Sequence, residues 1–476
     1  MKQRLVWQTV LDWCLFGVAV AFLLSNLFFV SAPLTWGLTV FVALLMGLSI
    51  PYLDKLPRLT GLVLFSLGAV LLTTTQAPPE QWIRAYSQNL NLLMLFVLVP
   101  LLGMPLKYGH YIANLTRLYH RYVHNRFRLY FVSGVLSLIF SPILNLAAIV
   151  MIKDVTPRTL TPLAEKSLFM SLSRTYGLSL CWTPYFGTVI LVLSLLSVPW
   201  PTIAPITLGF AIAVFGLTSL LEYRRFSRGE TIIFTEPPAV RGTPGIQREL
   251  AIARDDSFRK WDVNKIVELM VILVLLIFVT IGIHEWFGLE MTLSVSLVSI
   301  FFPMIWTAYL RKWHRYRLGW QLYFRRQLPK IKNEIFLFMN AGFFGGAVVA
   351  SGYGEVLPRI LEGLTGNQPL GMIALMGLSI MLFPVMGIHP LVLPLIYASV
   401  LPHTDIPLHV LTITFVVLTS WALALSIAPF AAATLVVIRG TKYTNYQASL
   451  GWNWYFALIG FVIMLLFASC LHVILS

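Results

Sequence analysis

Few side chains in this sequence could do chemistry inside an apolar environment, and the most suggestive of them lie beside prolines or glycines. They interrupt two long apolar stretches, with Ser141, Pro142 and Asn145 in 129–152 and Gly387, His389 and Pro390 in 369–402. Breaks of this kind expose backbone N–H and C=O groups that can bind a solute or an ion. We therefore expect both interruptions to contribute to a binding site, although an ordinary kinked core helix would also account for the first.

His389 is the ionisable group among these residues. An ionisable side chain in a membrane-embedded segment is costly and is more often functional than one in a soluble core. His389 could therefore bind a solute or take up a proton near neutral pH. A capped or surface-facing histidine is the alternative.

Two further apolar stretches have a proline near the middle, at Pro184 and at Pro429. Each proline removes a backbone hydrogen bond and frees a carbonyl. In lipid such a break persists only where protein or a water-filled cavity satisfies the freed groups. Thr183 and Ser426 lie beside these prolines, and we expect all four residues to mark backbone groups that contribute to the same site.

Arg174 and Asn340 are polar residues within other apolar stretches. Arg174 could hold a substrate carboxylate through two parallel hydrogen bonds, or its long side chain could reach the cytoplasmic surface. Asn340 could contact substrate, or it could bind a neighbouring helix. Glu165 and Glu334 lie near the ends of their stretches, and we expect them to be solvated.

The composition identifies the environment of these residues. The chain has 476 residues, 58% of them hydrophobic and 11% charged, with a mean hydropathy of +0.80, whereas soluble domains carry about 25% charged residues. A soluble fold could not cover this much apolar surface, so an integral membrane protein is predicted. The net charge of +15 is carried by Lys and Arg in short loops, which is typical of the positive-inside rule and argues against nucleic acid as a partner.

Apolar runs long enough to cross a bilayer recur along the whole chain. They lie near 9–30, 35–53, 59–75, 89–106, 167–197, 202–222, 265–284, 291–310, 334–352, 406–438 and 450–475. The first run could be read as a signal peptide, but its length of about 22 residues suits a retained spanning helix. The prediction is an all-α polytopic membrane protein with about 11 transmembrane helices, of which the first occupies residues 1–34.

The distribution of basic loops orients the spans and implies two re-entrant hairpins. The segments 107–128 and 311–332 are rich in Lys and Arg and hold no acid, so we place both in the cytoplasm, together with the N-terminus and the loop 223–264. An even number of crossings must separate two cytoplasmic loops, yet three apolar stretches, 129–152, 167–197 and 202–222, lie between 107–128 and 223–264. The stretch 129–152 must therefore enter and leave on one side, and the same argument makes 369–402 a second hairpin, entering from outside. A bacterial cytoplasmic (inner) membrane is the expected location.

The spans form an internal inverted repeat, with halves at 35–222 and 265–476 joined by the linker 223–264, which is a plain connector or a tethered regulatory segment. Each half contains three spans, a hairpin, a broken helix and a last helix. The halves match in sequence at one point, where the residues around Pro184 align with those around Pro429. Oppositely oriented halves would bring two hairpin tips and two broken helices together near the midplane.

This plan resembles the ion transporter superfamily, which includes divalent-anion:sodium symporters, citrate carriers and arsenite-efflux proteins. The likeness covers nearly the whole chain in layout, and the small residues of 329–352 look like the helix that precedes the second hairpin in that superfamily. It implies a scaffold domain, often dimeric, and a moving domain that carries the hairpins and broken helices in an elevator motion. Symporters of this type place Ser-Asn-Thr at both tips to bind sodium and a carboxylate, where this chain has Ser141-Pro142-Ile143 and Gly387-Ile388-His389.

We therefore expect a secondary active transporter that moves a small anionic solute by alternating access, coupled to H⁺ or Na⁺. Half-helix N-termini at the breaks would bind an anion through their free N–H groups and their partial positive charge. No cofactor or metal site is expected, because Cys14, Cys181 and Cys470 lack any paired spacing. The expected partners are the lipid bilayer, the solute and a second copy of the chain in a homodimer.

The alternative is a membrane-embedded enzyme, or an assembly or export factor, that handles a lipid-linked substrate. Such an enzyme usually needs carboxylates, a histidine cluster or a metal site at one membrane face. The sequence contains no HExxH, CxxC or GxSxG motif. Neither alternative predicts an inverted repeat with paired breaks, so we do not expect an enzyme.

Overall fold

The computed structural model describes residues 2–226 and 263–475, except for 29–30, 88, 108, 110, 157–159, 353–355, 367 and 405. Over these residues the secondary structure is helical and contains no strand. Twelve helices in this part of the chain are long and apolar enough to cross a membrane. The prediction of an all-α polytopic membrane protein is therefore confirmed. Most of the predicted linker 223–264 lies outside the described residues.

The helices of the first half precede the linker. They are α1 (Lys2–Phe28), α2 (Ala32–Ser49), α3 (Lys55–Thr74), α4 (Pro79–Ser87), α5 (Leu90–Leu98), α6 (Tyr111–Tyr122), α7 (Arg126–Leu144), α8 (Leu146–Val155), α9 (Pro162–Leu180), α10 (Gly187–Leu196) and α11 (Trp200–Phe226).

The helices of the second half follow the linker. They are α12 (Val263–Phe287), α13 (Met291–Tyr309), α14 (Trp313–Leu322), α15 (Leu328–Ala350), α16 (Val356–Thr365), α17 (Pro369–Leu382), α18 (Val392–Val400), α19 (Val410–Ile427), α20 (Ala432–Ile438) and α21 (Trp452–Leu475).

The predicted span at 89–106 is not one continuous α-helix. The α-helical part ends at Leu98, and the chain continues as 3-10 turns at Val99–Gly103 and Pro105–Lys107. Pro100 and Pro105 explain this difference, because proline lacks the N–H that an α-helical hydrogen bond requires.

Two of the twelve long apolar segments, Arg126–Leu144 and Pro369–Met386, are the first arms of the stretches that we expected to form hairpins. In each case a turn at Asn145 or Gly387 follows, and a shorter helix, α8 or α18, begins after it. We call α7 and α8, and α17 and α18, each pair with its turn, the first and the second helical hairpin.

Side-chain caps define where the first hairpin and the first broken helix begin. The side chain of Asn125 accepts a hydrogen bond from the backbone N–H of Arg128 at 2.8 Å. Thr161 caps α9 through a 3.3 Å bond from the Ala164 N–H, and Pro162 occupies the first helical position. Both arrangements satisfy backbone donors that a helix start leaves free.

The helices pack in two groups. We call α1–α5 and α12–α15 the frame group, because α15 packs along α3, α4 and α5, and α13 packs on α5 and α12. We call α7–α11 and α17–α21 the hairpin group, in which α19 is central and contacts α9, α17, α18 and α21. The groups meet where α15 contacts α18 and where α10 contacts α5.

The two broken helices cross closely at Gly177. A Cβ atom at this position would collide with the carbonyl oxygen of Ala422 on α19. Only glycine allows α9 and α19 to approach this closely, so Gly177 brings the two broken helices into direct contact.

The order of elements after the frame helices repeats in the two halves. An amphipathic helix (α6 or α16) precedes a hairpin, which is followed by a helix in two pieces and by a long last helix. Exposed apolar side chains of α16 at Val356, Ile360 and Leu364 recur every fourth residue, which is typical of a helix lying at an interface.

Candidate functional site

Of the three residues that we expected at the first interruption, Asn145 is at the turn, whereas Ser141 and Pro142 lie within α7. Helix α7 continues through Ser141 and Pro142 to Leu144, and Asn145 adopts a positive φ of 52°. A proline near the end of a helix removes one hydrogen bond without ending the helix at that point, whereas the turn needs a positive φ, at which asparagine is enriched among the non-glycine residues. Ser141 is fully buried with its hydroxyl 3.2 Å from that of Ser137, so Asn145 is the residue at the tip.

The tip is held to the first broken helix by Tyr176. The Tyr176 hydroxyl donates a hydrogen bond to Asn145 Oδ1, which also accepts one from the backbone N–H of Leu146 at 2.7 Å. Elsewhere, on α15, Glu334, which we expected to be solvated, is partly exposed.

The second hairpin turns at Gly387, which has a φ of +94°. The His389 ring closes the turn, since its Nδ1 accepts a 3.4 Å bond from the backbone N–H of Leu391. His389 is partly exposed and Pro390 is buried. The ring of Phe430, at the break of the second broken helix, is the neighbour of Gly387. The tip of the second hairpin thus lies against the break of the second broken helix.

The first broken helix is interrupted between Leu180 and Gly187. Thr183 and Pro184 are buried in the interruption, where Thr183 Oγ1 accepts a 3.2 Å bond from the Tyr185 N–H. The Tyr185 hydroxyl donates to the carbonyl oxygen of Leu276 at 3.1 Å and lies 2.8 Å from the hydroxyl of Thr280. Both partners are on α12, so this break is hydrogen-bonded to the frame group.

The second broken helix is interrupted between Ile427 and Ala432, with Pro429 buried in the gap. The carbonyl oxygen of Ala428 accepts a 3.0 Å bond from the hydroxyl of Thr434. The Ser426 hydroxyl donates to its own helix, and its carbonyl oxygen accepts a 2.9 Å bond from Asn453 Nδ2. The break therefore satisfies part of its backbone with neighbouring side chains, as a break in lipid must.

Arg174 is fully buried and does not reach a membrane surface, which contradicts the surface-reaching alternative. All five of its N–H donors have protein partners: Asn453 Oδ1, the Tyr130 hydroxyl, Glu222 Oε1, the Trp452 carbonyl oxygen and the Tyr455 hydroxyl. Such a guanidinium has no donor left for a substrate carboxylate in this conformation. The arrangement joins α9, α11 and α21.

Sequence reasoning missed the buried partner of Arg174. Glu222 has no exposed side-chain surface, lies 2.9 Å from Arg174 and accepts a hydrogen bond from the Tyr455 hydroxyl. An acid beside a long apolar run was the available signal, because such a residue needs a partner inside a membrane.

Lys153, on the second arm of the first hairpin, was also missed. Its Nζ donates to the carbonyl oxygen of Val437 at 2.6 Å and lies 4.9 Å from the centre of the Phe169 ring. A cation is favourable at this position because the last carbonyls of α20 are negative and lack helical partners. The contact joins the first hairpin to the broken helix of the second half.

Two polar features of α15 lie outside the site. Asn340 is buried and donates to the carbonyl oxygen of Phe336 within its own helix. Lys332 forms a buried ion pair with Asp12 of α1, with Nζ and Oδ1 2.9 Å apart. The pair joins α15 to α1 within the frame group. The described residues contain no group of three His, Cys, Asp or Glu side chains that could hold a metal ion.

Fold and site together define a multi-pass, all-α membrane protein with two helical hairpins and two helices broken at buried prolines. A solved structure of MtrF from Neisseria gonorrhoeae, whose title speaks of a class of antimetabolite efflux pumps, aligns with a TM-score of 0.50 and 12% sequence identity. The alignment covers 88% of this chain and 96% of MtrF, so the chain is similar to MtrF in fold. No family model and no curated protein matches the sequence.

Proposed function

We propose that this chain is a secondary transporter that moves a small anionic solute across the membrane by alternating access. The observation that carries the proposal is the pairing of a helical hairpin with a proline-broken helix in each half. Helix breaks within a bilayer are costly and persist where they line a polar cavity, which a solute-binding site requires. The efflux pump MtrF, with its similar fold, supports transport as the activity.

An anion is favoured by the backbone groups at the breaks. Helices α10 and α18 each begin at a turn or break, and the first N–H groups of a helix have no partner within it. These N–H groups and the positive end of the helix dipole favour negative charge. Arg174 uses all of its donors internally, so backbone groups supply the attraction in this proposal.

The hairpin group is the moving body, and the frame group is the scaffold. The hairpins and broken helices contact one another extensively through α19, whereas fewer helices join the two groups. A rigid displacement of the hairpin group would carry the tips from one side to the other, as in an elevator motion. The two halves are oppositely oriented, so the tips at Asn145 and His389 face opposite sides of the membrane.

The test is side-specific labelling of single cysteines at the two tips. Cys14, Cys181 and Cys470 are replaced first, and Ala147→Cys and Ile388→Cys are introduced separately, because both positions are exposed beside the turns. A membrane-impermeant maleimide should label Ala147→Cys from the cytoplasm and Ile388→Cys from outside.

Two control positions establish from which side of the membrane the reagent labels, and one result would contradict the proposal. Glu285→Cys should label only from outside and Lys442→Cys only from the cytoplasm, following the charges of their loops. If both tip cysteines label from the same side, the halves are not inverted and the proposed mechanism fails. If they label from opposite sides, thermal stabilisation by small organic anions, added one at a time, identifies the solute class.

A further inference from the structure

Basic side chains from two helices lie against the start of the last helix. Lys166, near the start of α9, has its Nζ 5.5 Å from the centre of the Trp452 ring. Arg225, at the end of α11, has its guanidinium carbon 4.7 Å from the centre of the Tyr455 ring. Both rings belong to the first turn of α21, so the two cations meet at the same helix end.

A third cation, Arg126 at the start of α7, lies at the same end of the bundle. Its guanidinium carbon is 4.5 Å from the centre of the Phe226 ring, and its Nε and Nη2 donate to the Ser167 hydroxyl at 3.3 and 3.2 Å. Phe226 follows Arg225 in the chain, and Ser167 follows Lys166. We call Arg126, Lys166 and Arg225 the basic cluster, and all three are at least partly exposed.

The neighbouring carboxylates leave an excess of positive charge. Glu222 lies 4.0 Å from Arg225, but it also pairs at 2.9 Å with the buried Arg174. Glu165 precedes Lys166 in the chain. Two carboxylates thus accompany four cations in this part of the described structure, and an anion is favoured there.

An apolar groove lies at the start of the same helix. It has a volume of about 540 Å³ and an almost entirely apolar lining. The groove follows a π-helical turn at Gln447–Gly451, and such turns occur often at functional sites. The residues that line the groove are Tyr446, Gln447, Leu450, Gly451 and Trp454.

Ring contacts connect the groove to the basic cluster. The Trp454 ring packs edge-on against the Tyr455 ring, with centroids 5.9 Å apart, and Tyr455 contacts Arg225. In the other direction, exposed apolar side chains continue from Trp454 along α21 at every fourth residue. They are Leu458, Val462 and Leu466. Positive charge at the helix end therefore adjoins an apolar path that runs along the helix.

We propose that the basic cluster and the groove bind one anionic phospholipid, with its phosphate at Lys166 and Arg225 and an acyl chain along the groove. Basic pockets between spanning helices at the cytoplasmic face bind anionic headgroups, and the orientation proposed above places this end of the bundle in the cytoplasm. A phospholipid matches both parts of the site. A soluble anion would contact the cluster and leave the groove empty.

The closing experiment measures lipid binding to the full chain in detergent by native mass spectrometry. Phosphatidylglycerol and phosphatidylcholine with the same acyl chains are compared, and the wild type should bind phosphatidylglycerol more tightly by about tenfold. Lys166→Gln and Arg225→Gln should each weaken phosphatidylglycerol binding by about fivefold, because each removes one cation from the headgroup site. Lys166→Arg keeps the charge and should bind like the wild type.

Matched variants test the cluster and the groove separately. Arg128→Gln makes the same change in net charge at an exposed position of α7, two residues and therefore about 200° around the helix from Arg126. It should change the affinity by less than about twofold. Gly451→Leu fills the groove and should weaken the binding of both lipids. Trp454→Ala, which removes a wall of the groove at an exposed position, is the second test of the groove if Gly451→Leu does not fold.

Three results would overturn the proposal. Equal losses with Arg128→Gln and Lys166→Gln would mean that the lipid responds only to total surface charge. Displacement of phosphatidylglycerol by glycerol phosphate would mean that the site recognises a soluble anion. Wild-type binding by the groove variants would mean that no acyl chain lies there. The labelling test of the hairpin tips is independent of these results, so the proposed function does not depend on them.

Discussion

The guanidinium of Arg174 and the carboxylate of Glu222 lie 2.9 Å apart, with neither side chain exposed. The pair joins the first broken helix to the last helix of the first half, and Asn453, Trp452 and Tyr455 extend it to the last helix of the second half. Hydrogen bonds from the same guanidinium thus reach elements of both repeats. Its role is to hold the hairpin group together as one body.

Removing one partner of this pair should destabilise the protein strongly. Arg174→Ala removes the buried counter-ion of Glu222 and leaves only the largely exposed Arg225 within 4.0 Å. Breaking a buried pair costs about 3–5 kcal/mol. We expect a large drop in the apparent melting temperature of the purified protein in detergent. Arg225→Ala is the matched control, because its guanidinium is 61% exposed and 4.0 Å from Glu222, and exposed pairs contribute about 0–1 kcal/mol. Equal effects of the two substitutions would contradict this assignment.

The Asp12–Lys332 pair should show non-additive behaviour. Asp12→Asn and Lys332→Met each leave one group without its partner, whereas the double variant removes both charges. The double variant should therefore be more stable than the sum of the single effects predicts, by about 0.5–3 kcal/mol. Melting temperatures of the four proteins, wild type included, complete the cycle. Additive effects would mean that the two groups do not interact.

Lys153→Met should weaken the contact between the first hairpin and α20. The substitution keeps much of the chain length but removes the bond to the Val437 carbonyl oxygen, and a cation at a helix C-terminus contributes about 0.3–2 kcal/mol. Faster hydrogen–deuterium exchange in residues 432–438 is the expected readout. Lys153→Arg keeps the charge and should restore much of the protection. Unchanged exchange in Lys153→Met would show that the contact does not stabilise this helix.

Gly387→Ala should disturb the second hairpin through the backbone alone. A Cβ atom at this position would have ordinary van der Waals contact with Phe430 at 3.8 Å, but the φ of +94° is unfavourable for alanine, at a cost of about 1–2 kcal/mol. Gly282→Ala is the control in a regular helix with open space around it, where alanine is favoured. Labelling of Ile388→Cys should accelerate only when combined with Gly387→Ala. An equal acceleration with Gly282→Ala would refute a local effect.

The class of fold could be read from the sequence, and the side-chain pairs could not. Long apolar runs are a direct consequence of bilayer thickness, and Pro184 and Pro429 lie in the gaps of the two broken helices. At the first interruption only Asn145 lies at the turn, and Ser141 and Pro142 remain helical, because a proline near the end of a helix removes a hydrogen bond without reversing the chain. The partners Arg174 and Glu222 are 48 residues apart, and no local pattern indicates which basic residue an acid will meet.

The hydrogen bonds of Tyr185 make the two halves of the repeat mechanically unequal. The break at Pro184 is hydrogen-bonded to α12 through the Leu276 carbonyl and the Thr280 hydroxyl. The hydrogen bonds from Thr434 and Asn453 at the break of Pro429 come from helices of its own group. Any sliding of one group past the other must therefore release the first break before it can proceed. The two breaks would then move one after the other, although both halves share the same order of elements. The opening of the Tyr185 hydrogen bond to α12 would be the first step.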